Sequence, residues 1–110
     1  MYYVYVYNCY IHVFVALYWA CYGGHVEVVE ELLGSQYINI NSQNKLGDTS
    51  LLASSLRGHG RVTHLLLNRN ADANIKNNSG DTPISVATDP TGMTYMTHMT
   101  HRYDSYDSLI

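Results

Sequence analysis

Two histidines and two aspartates near the carboxyl end have a spacing that could hold a metal ion. His98, His101, Asp104 and Asp107 follow one another at intervals of three residues, and imidazole and carboxylate are both common zinc ligands. They lie in the tandem repeats "MTYMTHMTH" and "YDSYDS", and such low complexity is not typical of a packed site. We therefore expect at most adventitious metal binding there, and no evolved metal site.

No other arrangement of side chains predicts catalysis. Ser54, Ser55 and His59 are close in sequence, but no carboxylate nearby could orient the histidine as a general base. Gly23-Gly24 follows an apolar stretch and indicates the end of a helix, whereas a phosphate-binding loop opens a helix after a strand. The sequence predicts no enzymatic activity, no catalytic residue and no cofactor. A regulatory fragment of an enzyme complex is left as an alternative.

Charge and cysteine content exclude further classes of function. The formal net charge is -3, with only six lysines and arginines in 110 residues. Nucleic-acid surfaces need clustered positive charge, so a nucleic-acid partner is not expected. Cys9 and Cys21 do not make a disulfide framework, and reduced thiols favour a cytoplasmic location.

Residues 1–15, "MYYVYVYNCYIHVFV", are almost all aromatic or β-branched. No formally charged side chain occurs between Met1 and Tyr22, and about twenty apolar residues can span a bilayer. However, the tyrosines, Asn8 and His12 face lipid poorly, and the basic start of a signal peptide is missing. We expect an extended β-prone segment or a poorly fixed hydrophobic helix, and not a standard repeat unit or a membrane anchor.

The middle of the chain repeats itself with a period of 33 to 34 residues. Gly47–Thr49 recurs as Gly80–Thr82 after 33 residues, and His25 recurs as His59 after 34. Within each unit, apolar residues recur at i, i+3 and i+4, which is typical of helices with one buried face. These positions are Leu17, Ala20, Cys21, Val28, Val29, Leu32 and Leu33, then Leu51, Val62, Leu65 and Leu66, then Ile84 and Ala87.

The period and the apolar spacing predict an all-α solenoid of helix-turn-helix units over residues 16–88. Thr82-Pro83 opens the third unit, with threonine as a cap and proline at the first helical position. We expect no second helix after Ala87, because residues 89–110 lack suitable apolar spacing and form a low-complexity tail that we expect to be disordered. The array therefore holds about two and a third repeats.

The units resemble the ankyrin-repeat family, whose pattern is roughly G-x-T-P-L-H-x-A-A-x-x-G-H. Where the family has histidine after leucine, this chain has Tyr18, Leu52 and Ser85, which should remove a hydrogen-bonding link between repeats. Ser54 and Ser55 replace two small apolar residues, which should loosen the middle unit.

The resemblance has two further implications. It implies that His25 and His59 form structural hydrogen bonds in the glycine-histidine turns. About three repeats are usually needed for stability, so a marginally folded, non-functional fragment stays an alternative.

A narrower resemblance concerns Ala16–Cys21, Gly23–His25 and Gln43–Thr49. They are similar to the ankyrin region of a family of signalling adaptors that join an amino-terminal SH3 domain to a small ankyrin array. Those adaptors act indirectly on osteoclast formation and bone resorption. Residues 1–15 are too short for an SH3 barrel, so proline-rich ligands of the SH3 type are not expected for this chain.

With catalysis, nucleic acid and SH3-type ligands not expected, the function that the sequence predicts is binding of a protein partner of unknown identity. In ankyrin stacks the turn tips and the first helices line a concave face that binds partners, and tryptophan, tyrosine and arginine are enriched at binding hot spots. Packing of Trp19 against an altered first unit is the alternative. The candidate residues are Trp19, Tyr22, Asn44, Lys45, Leu46, Leu56, Arg57, Lys76, Asn77 and Asn78, with Ala53 as a further outward position.

Overall fold

The computed structural model of the protein describes residues 2–88, with side chains from residue 9 onward. It contains five helices: α1 Tyr2–Gly23, α2 Val26–Leu33, α3 Ser50–Leu56, α4 Gly60–Asn68 and α5 Pro83–Val86. The described residues contain no strand, so the predicted all-helical solenoid is confirmed. The predictions for residues 89–110, including those for His98, His101, Asp104 and Asp107, lie outside the described residues.

The helices form two layers. The first helices α1, α3 and α5 pack side by side, and the second helices α2 and α4 pack on each other and on their own partners α1 and α3. Gly24 and Gly58 turn each first helix into its second with φ angles of 77° and 74°, a left-handed conformation that favours glycine. The recurrence of glycine before histidine in the sequence follows from this turn.

Thr49 and Thr82 begin α3 and α5 in the same way. Thr49 Oγ1 accepts a hydrogen bond from the Leu52 backbone N–H at 3.2 Å, and Thr82 Oγ1 accepts one from that of Ser85 at 3.3 Å. Ser85 Oγ in turn accepts from the Thr82 N–H at 2.9 Å, which completes a capping box. The recurring Gly-Asp-Thr is therefore a helix-start signal.

The core is one apolar cluster that runs through both layers. Leu17, Val29, Leu51, Val62 and Leu66 are each at most 1 % exposed. Leu17 and Leu51 occupy equivalent positions on neighbouring first helices, so the repeats bury their apolar faces against each other. This arrangement explains the sequence period.

The serines of the middle unit are well accommodated, contrary to the expected loosening. Ser55 Oγ donates to the Leu51 carbonyl at 2.8 Å, and Ser54 Oγ donates to the same carbonyl at 3.0 Å. Ser54 Oγ also lies 2.9 Å from Thr63 Oγ1, which must be the donor because the serine proton is already used. Both serines are at most 2 % exposed, and each behaves as a small core residue whose hydroxyl is satisfied locally.

Residues 2–15 are helical, so the extended alternative for this segment is wrong. They continue α1 without a break into Gly23, and the ring of Tyr10 packs edge-on against Tyr37 at 5.4 Å between centroids. Strand propensity depends strongly on context, and a helix satisfies the backbone groups of a segment that has no strand partner. No described helix, α1 included, is both long and apolar enough to cross a membrane.

Cys21 lies in the core where the first two repeats meet. Its side chain is fully buried, and burial raises the pKa of the thiol to about 12, although the Ser50 hydroxyl opposes the shift. Ser50 Oγ is also buried and has no conventional hydrogen-bond partner among the described residues. The thiol therefore stays protonated, and a weak contact with sulfur is all that Ser50 receives.

Replacing Leu66 with Ala should destabilise the fold by about 2–5 kcal/mol, because it leaves a cavity in the core. Leu46→Ala is the matched control, since Leu46 is 67 % exposed and its loss should change stability by less than about 0.5 kcal/mol. Thermal and urea unfolding followed by circular dichroism measure both. Equal melting temperatures for the two variants would contradict the described packing.

Ser50→Ala and Ser54→Ala should shift stability in opposite directions. The first removes a buried hydroxyl without a proper partner and should stabilise by about 1 kcal/mol, whereas the second leaves the buried Thr63 hydroxyl without an acceptor and should cost about 1–3 kcal/mol. Urea midpoints of the two variants and the parent chain give the sign. A loss of stability in Ser50→Ala would show that the Cys21–Ser50 contact is stronger than argued.

Candidate functional site

Asn44 shapes the first turn tip, which comprises Gln43–Leu46. Its Oδ1 accepts hydrogen bonds from the backbone N–H groups of Leu46 at 2.9 Å and Asp48 at 3.0 Å. Gly47 follows with a φ of 81°, and a Cβ atom there would lie 2.8 Å from the backbone nitrogen of Asn78. Glycine is therefore required both by the turn and by the close approach of the next tip.

Asn77 shapes the second turn tip, Lys76–Ser79, in the same way. Its Oδ1 accepts from the N–H groups of Ser79 and Asp81, both at 2.9 Å, and Gly80 has a φ of 83°. An asparagine three residues before glycine is thus the local signal for each tip.

Side chains of the second tip fix it onto the first. Asn77 Nδ2 donates to Asp48 Oδ1 at 2.9 Å, and Asn78 Nδ2 donates to the Lys45 carbonyl at 2.8 Å. The Asn78 backbone N–H also donates to the Leu46 carbonyl at 2.9 Å. The amide groups of Asn77 and Asn78 therefore hold the tips in place, which leaves little of them for a partner.

Gln43 adds a further link between the tips. Its Nε2 donates to the Gly47 carbonyl at 2.9 Å and to the Lys76 carbonyl at 3.2 Å. Lys45 and Lys76 use only backbone carbonyls in these contacts, and both residues are exposed. The network thus fixes the backbone of both lysines at neighbouring tips and leaves the two residues exposed.

An aromatic cluster lies on α1. The ring of Trp19 packs edge-on against Tyr18 and Tyr22, each at 5.4 Å between centroids. Tyr18 stacks on Tyr22 at 6.5 Å and meets Phe14 at 6.2 Å. These residues are spaced at three and four along the helix, which brings their rings onto one face.

Tyr18 connects the aromatic cluster to the first turn tip. Burial raises the pKa of its phenol, the Asp48 carboxylate raises it further, and a hydrogen bond with the Asn44 side chain acts in the opposite direction. In this hydrogen bond the Asn44 side-chain amide is the donor and the Tyr18 oxygen accepts, because only a donor to that oxygen favours the ionised form. The raised pKa keeps the phenol neutral. Sequence reasoning treated Tyr18 only as a departure from the family pattern and missed this contact.

Tyr22 connects α1 to the second unit. The Arg57 guanidinium lies over its ring, with Cζ 4.8 Å from the centroid, a distance typical of a cation–π contact. His59 Nε2 lies 3.0 Å from the Tyr22 carbonyl, which can only accept, so this nitrogen carries the proton. The hydrogen bond predicted for His59 in the glycine-histidine turn is thus present.

The structure brings most of the candidate residues onto one surface. Trp19, Leu46 and Leu56 are 59 %, 67 % and 46 % exposed. Ala53 is the exception: it is 1 % exposed, because α3 lies between α1 and α5, and its assignment as an outward position was wrong. Tyr18 and Tyr22 are only partly exposed, and the other members of the set are exposed. We call the following set the candidate face: Tyr18, Trp19, Tyr22, Lys45, Leu46, Leu56, Arg57 and Lys76.

Other parts of the described surface offer less. An open groove of about 320 Å³ lies between α2 and α4, lined by Val26, Glu30, Gly60, Arg61, His64, Leu65 and Asn68. It shares no residue with the candidate face. Within residues 9–88, no three histidine, cysteine or acidic side chains cluster as a metal site would require.

The comparisons with known proteins agree with this geometry. A family model of ankyrin repeats, in three copies, matches residues 17–96, which is well over half of the chain. The chain therefore belongs to the ankyrin-repeat family. Its fold is that of a protein-protein interaction module, and members of this class are typically not enzymes.

Among individual relatives, osteoclast-stimulating factor 1 is similar at 46 % identity in Danio rerio and 43 % in Bos taurus, each over 73 residues. These matches cover 66 % of this chain and 34 % of each relative. Putative ankyrin repeat protein YahD of Escherichia coli is 34 % identical over 73 residues, which cover 62 % of this chain and 36 % of YahD. The chain thus spans about a third of the length of the curated relatives it matches.

A solved structure shows the same fold. The ankyrin repeat domain of Bcl-3, described as a unique member of the IkappaB protein family, is similar with a TM-score of 0.68 and 29 % sequence identity. The similarity covers 74 % of this chain and 35 % of that structure.

Asn77→Ala should destabilise the tips, because it removes the Nδ2 bond to Asp48 and both bonds accepted by Oδ1. We expect a loss of about 1–2 kcal/mol for these partly exposed groups. Asn74→Ala is the control, since the described residues give its exposed side chain no hydrogen bond. Urea unfolding compares the two, and an equal effect would show that the network between the tips contributes nothing.

Proposed function

We propose that the candidate face binds a protein partner and that the chain works as the ankyrin part of an intracellular signalling adaptor. The observation that supports this most is that three large apolar side chains, Trp19, Leu46 and Leu56, are each at least 46 % exposed. Exposed apolar surface of this kind is typical of interaction sites. Their positions do not serve the core, which is filled by other residues.

The particular adaptor role rests on similarity to osteoclast-stimulating factor 1. From it we infer an indirect part in promoting osteoclast formation and bone resorption, and a cytoplasmic location. Cys9 and Cys21 are both free thiols, which supports a reducing compartment. Because the match covers about a third of the relative, the inference concerns the ankyrin array and its partner.

We do not expect the described residues to bind proline-rich peptides of the SH3 type. Such recognition needs a groove of aromatic side chains that accepts a polyproline helix, and in SH3 domains a β-barrel forms that groove. Residues 2–88 contain no strand, and the aromatic rings of Tyr18, Trp19 and Tyr22 on α1 pack against each other.

Pull-down from cell lysate with the immobilised chain tests the proposed function. Trp19→Ala and Leu56→Ala should each reduce the protein retained by about tenfold, as expected for loss of about 1.4 kcal/mol at an interface. Val28→Ala is the matched control, since Val28 is 50 % exposed on α2, away from the candidate face. Melting curves of all variants confirm folding, and equal retention by the three would refute the proposed function.

A further inference from the structure

We propose that the partner segment recognised by the candidate face is extended and acidic at both ends, with apolar residues between. The proposal rests on the proposed function and adds the chemistry of the partner. One acidic end meets Arg57. The other meets Lys45 and Lys76, and the apolar stretch covers Trp19 and Leu56.

The exposed charged residues of the candidate face are all positive. Lys45, Arg57 and Lys76 are exposed there, and the described residues give none of them an ion pair. The other layer has both signs, with the exposed glutamates Glu27, Glu30 and Glu31 on α2 and the exposed Arg61 on α4. A partner with negative charge therefore gains attraction at the candidate face, and a basic partner does not.

The carboxylates nearest the lysines do not neutralise them. Asp48 Oδ1 accepts the Asn77 amide at 2.9 Å, and Asp48 and Asp81 are only partly exposed within their turns. These two side chains belong to the backbone framework of the tips. The lysine ammonium groups, on long flexible chains, extend beyond them into solvent.

Arg57 is oriented for a carboxylate. Its Cζ lies over the Tyr22 ring, 4.8 Å from the centroid, and the described residues give its N–H groups no acceptor. A planar guanidinium presents parallel donors that match the two oxygens of a carboxylate. The aromatic ring thus holds the arginine in a position that favours bidentate binding.

The distance between the two cationic positions sets the length of the segment. From Arg57 along the seven residues of α3 is about 10 Å at 1.5 Å per residue. Residues 44–48 form a tight turn, closed by the hydrogen bond from the Asn44 N–H to the Asp48 carbonyl at 3.0 Å, so the step from Asp48 to Lys45 adds only about 6 Å. About five extended residues of a partner span the resulting distance of about 16 Å, so the two acidic groups should be about five residues apart.

The apolar surface lies between these ends. Trp19 and Leu56 are about half exposed and lie on neighbouring first helices, and the Trp19 ring packs against that of Tyr18. Apolar side chains of the segment can therefore be buried on a surface that the chain itself leaves open. Exposed ion pairs alone contribute little, so affinity should come from this contact and selectivity from the charges.

Fluorescence of Trp19, the only tryptophan, provides the test with the full chain. The probe is a synthetic peptide with two glutamates at each end of a stretch of four alternating leucines and valines. Its control is the same peptide with lysines in place of the glutamates. We expect saturable binding of the glutamate peptide at about 20 mM salt, weakening as salt is raised because the charges are exposed, and none of the lysine peptide.

Matched variants assign the charges. Arg57→Ala and the double variant Lys45→Ala with Lys76→Ala should each weaken glutamate-peptide binding about fivefold, which corresponds to an exposed ion pair. Arg61→Ala removes an exposed arginine on α4 and should leave binding unchanged. Circular dichroism melts of each variant confirm that it is folded.

Three results would overturn the inference: no saturable binding, equal binding of both peptides, or an equal loss in all the arginine and lysine variants. Displacement of the peptide by a short oligothymidylate with equal affinity would assign the cations to nucleic acid, and would overturn it as well. The pull-down separates this failure from that of the proposed function. If retention still depends on Trp19 and Leu56, the face binds proteins by other chemistry and only the present inference is lost.

Discussion

Burial of each repeat's apolar face against its neighbour is the interaction on which this structure depends. A pair of helices such as α3 and α4 is too short to enclose a core alone, so Leu51 and Leu66 are buried only because α1, α2 and α5 pack against them. The free energy of folding of such an array is approximately the sum of the intrinsic stability of each repeat and the interaction energies at the interfaces between repeats. Every exposed feature, the candidate face included, is positioned by these interfaces.

Other hydrogen bonds connect the repeats at the interfaces where the histidine of the family pattern is missing. The chain lacks the family's histidine after leucine, yet His59 reaches back to the Tyr22 carbonyl at 3.0 Å, and Asn77 and Asn78 connect the second tip to the first. The contacts of His59 and Asn78 use backbone carbonyls that a neighbouring repeat always supplies, and that of Asn77 uses the Asp48 carboxylate. The expected loss of a hydrogen-bonding link is therefore compensated in part by different residues at the same interfaces.

The repeat period predicted the helices well because it arises from apolar residues that recur at the buried positions of each repeat, and such residues can be recognised in the sequence. The period says nothing about residues 2–15, where aromatic and β-branched residues predicted either an extended segment or a poorly fixed hydrophobic helix, and the structure has a helix. Residue propensities differ by less than about 1 kcal/mol, so continuity with a packed helix decides the conformation. The contact between Arg57 and Tyr22 could not be predicted, since it joins residues 35 positions apart in sequence whose distance depends on how two repeats stack.

The contrast between Trp19 and Ala53 shows what the repeat pattern can and cannot say about a surface. The two residues are equivalent by the 34-residue spacing, yet one is 59 % and the other 1 % exposed. Position in the array explains the difference, because α3 has a first helix on each side and the described part of α1 has one on a single side. The size of the residue indicates which of the two positions is buried. A methyl group fits between packed helices and an indole does not, so a large aromatic residue at this position indicates open space. Equivalent positions in a repeat protein should therefore be assigned to core or surface only after residue size and the number of neighbouring repeats are weighed together.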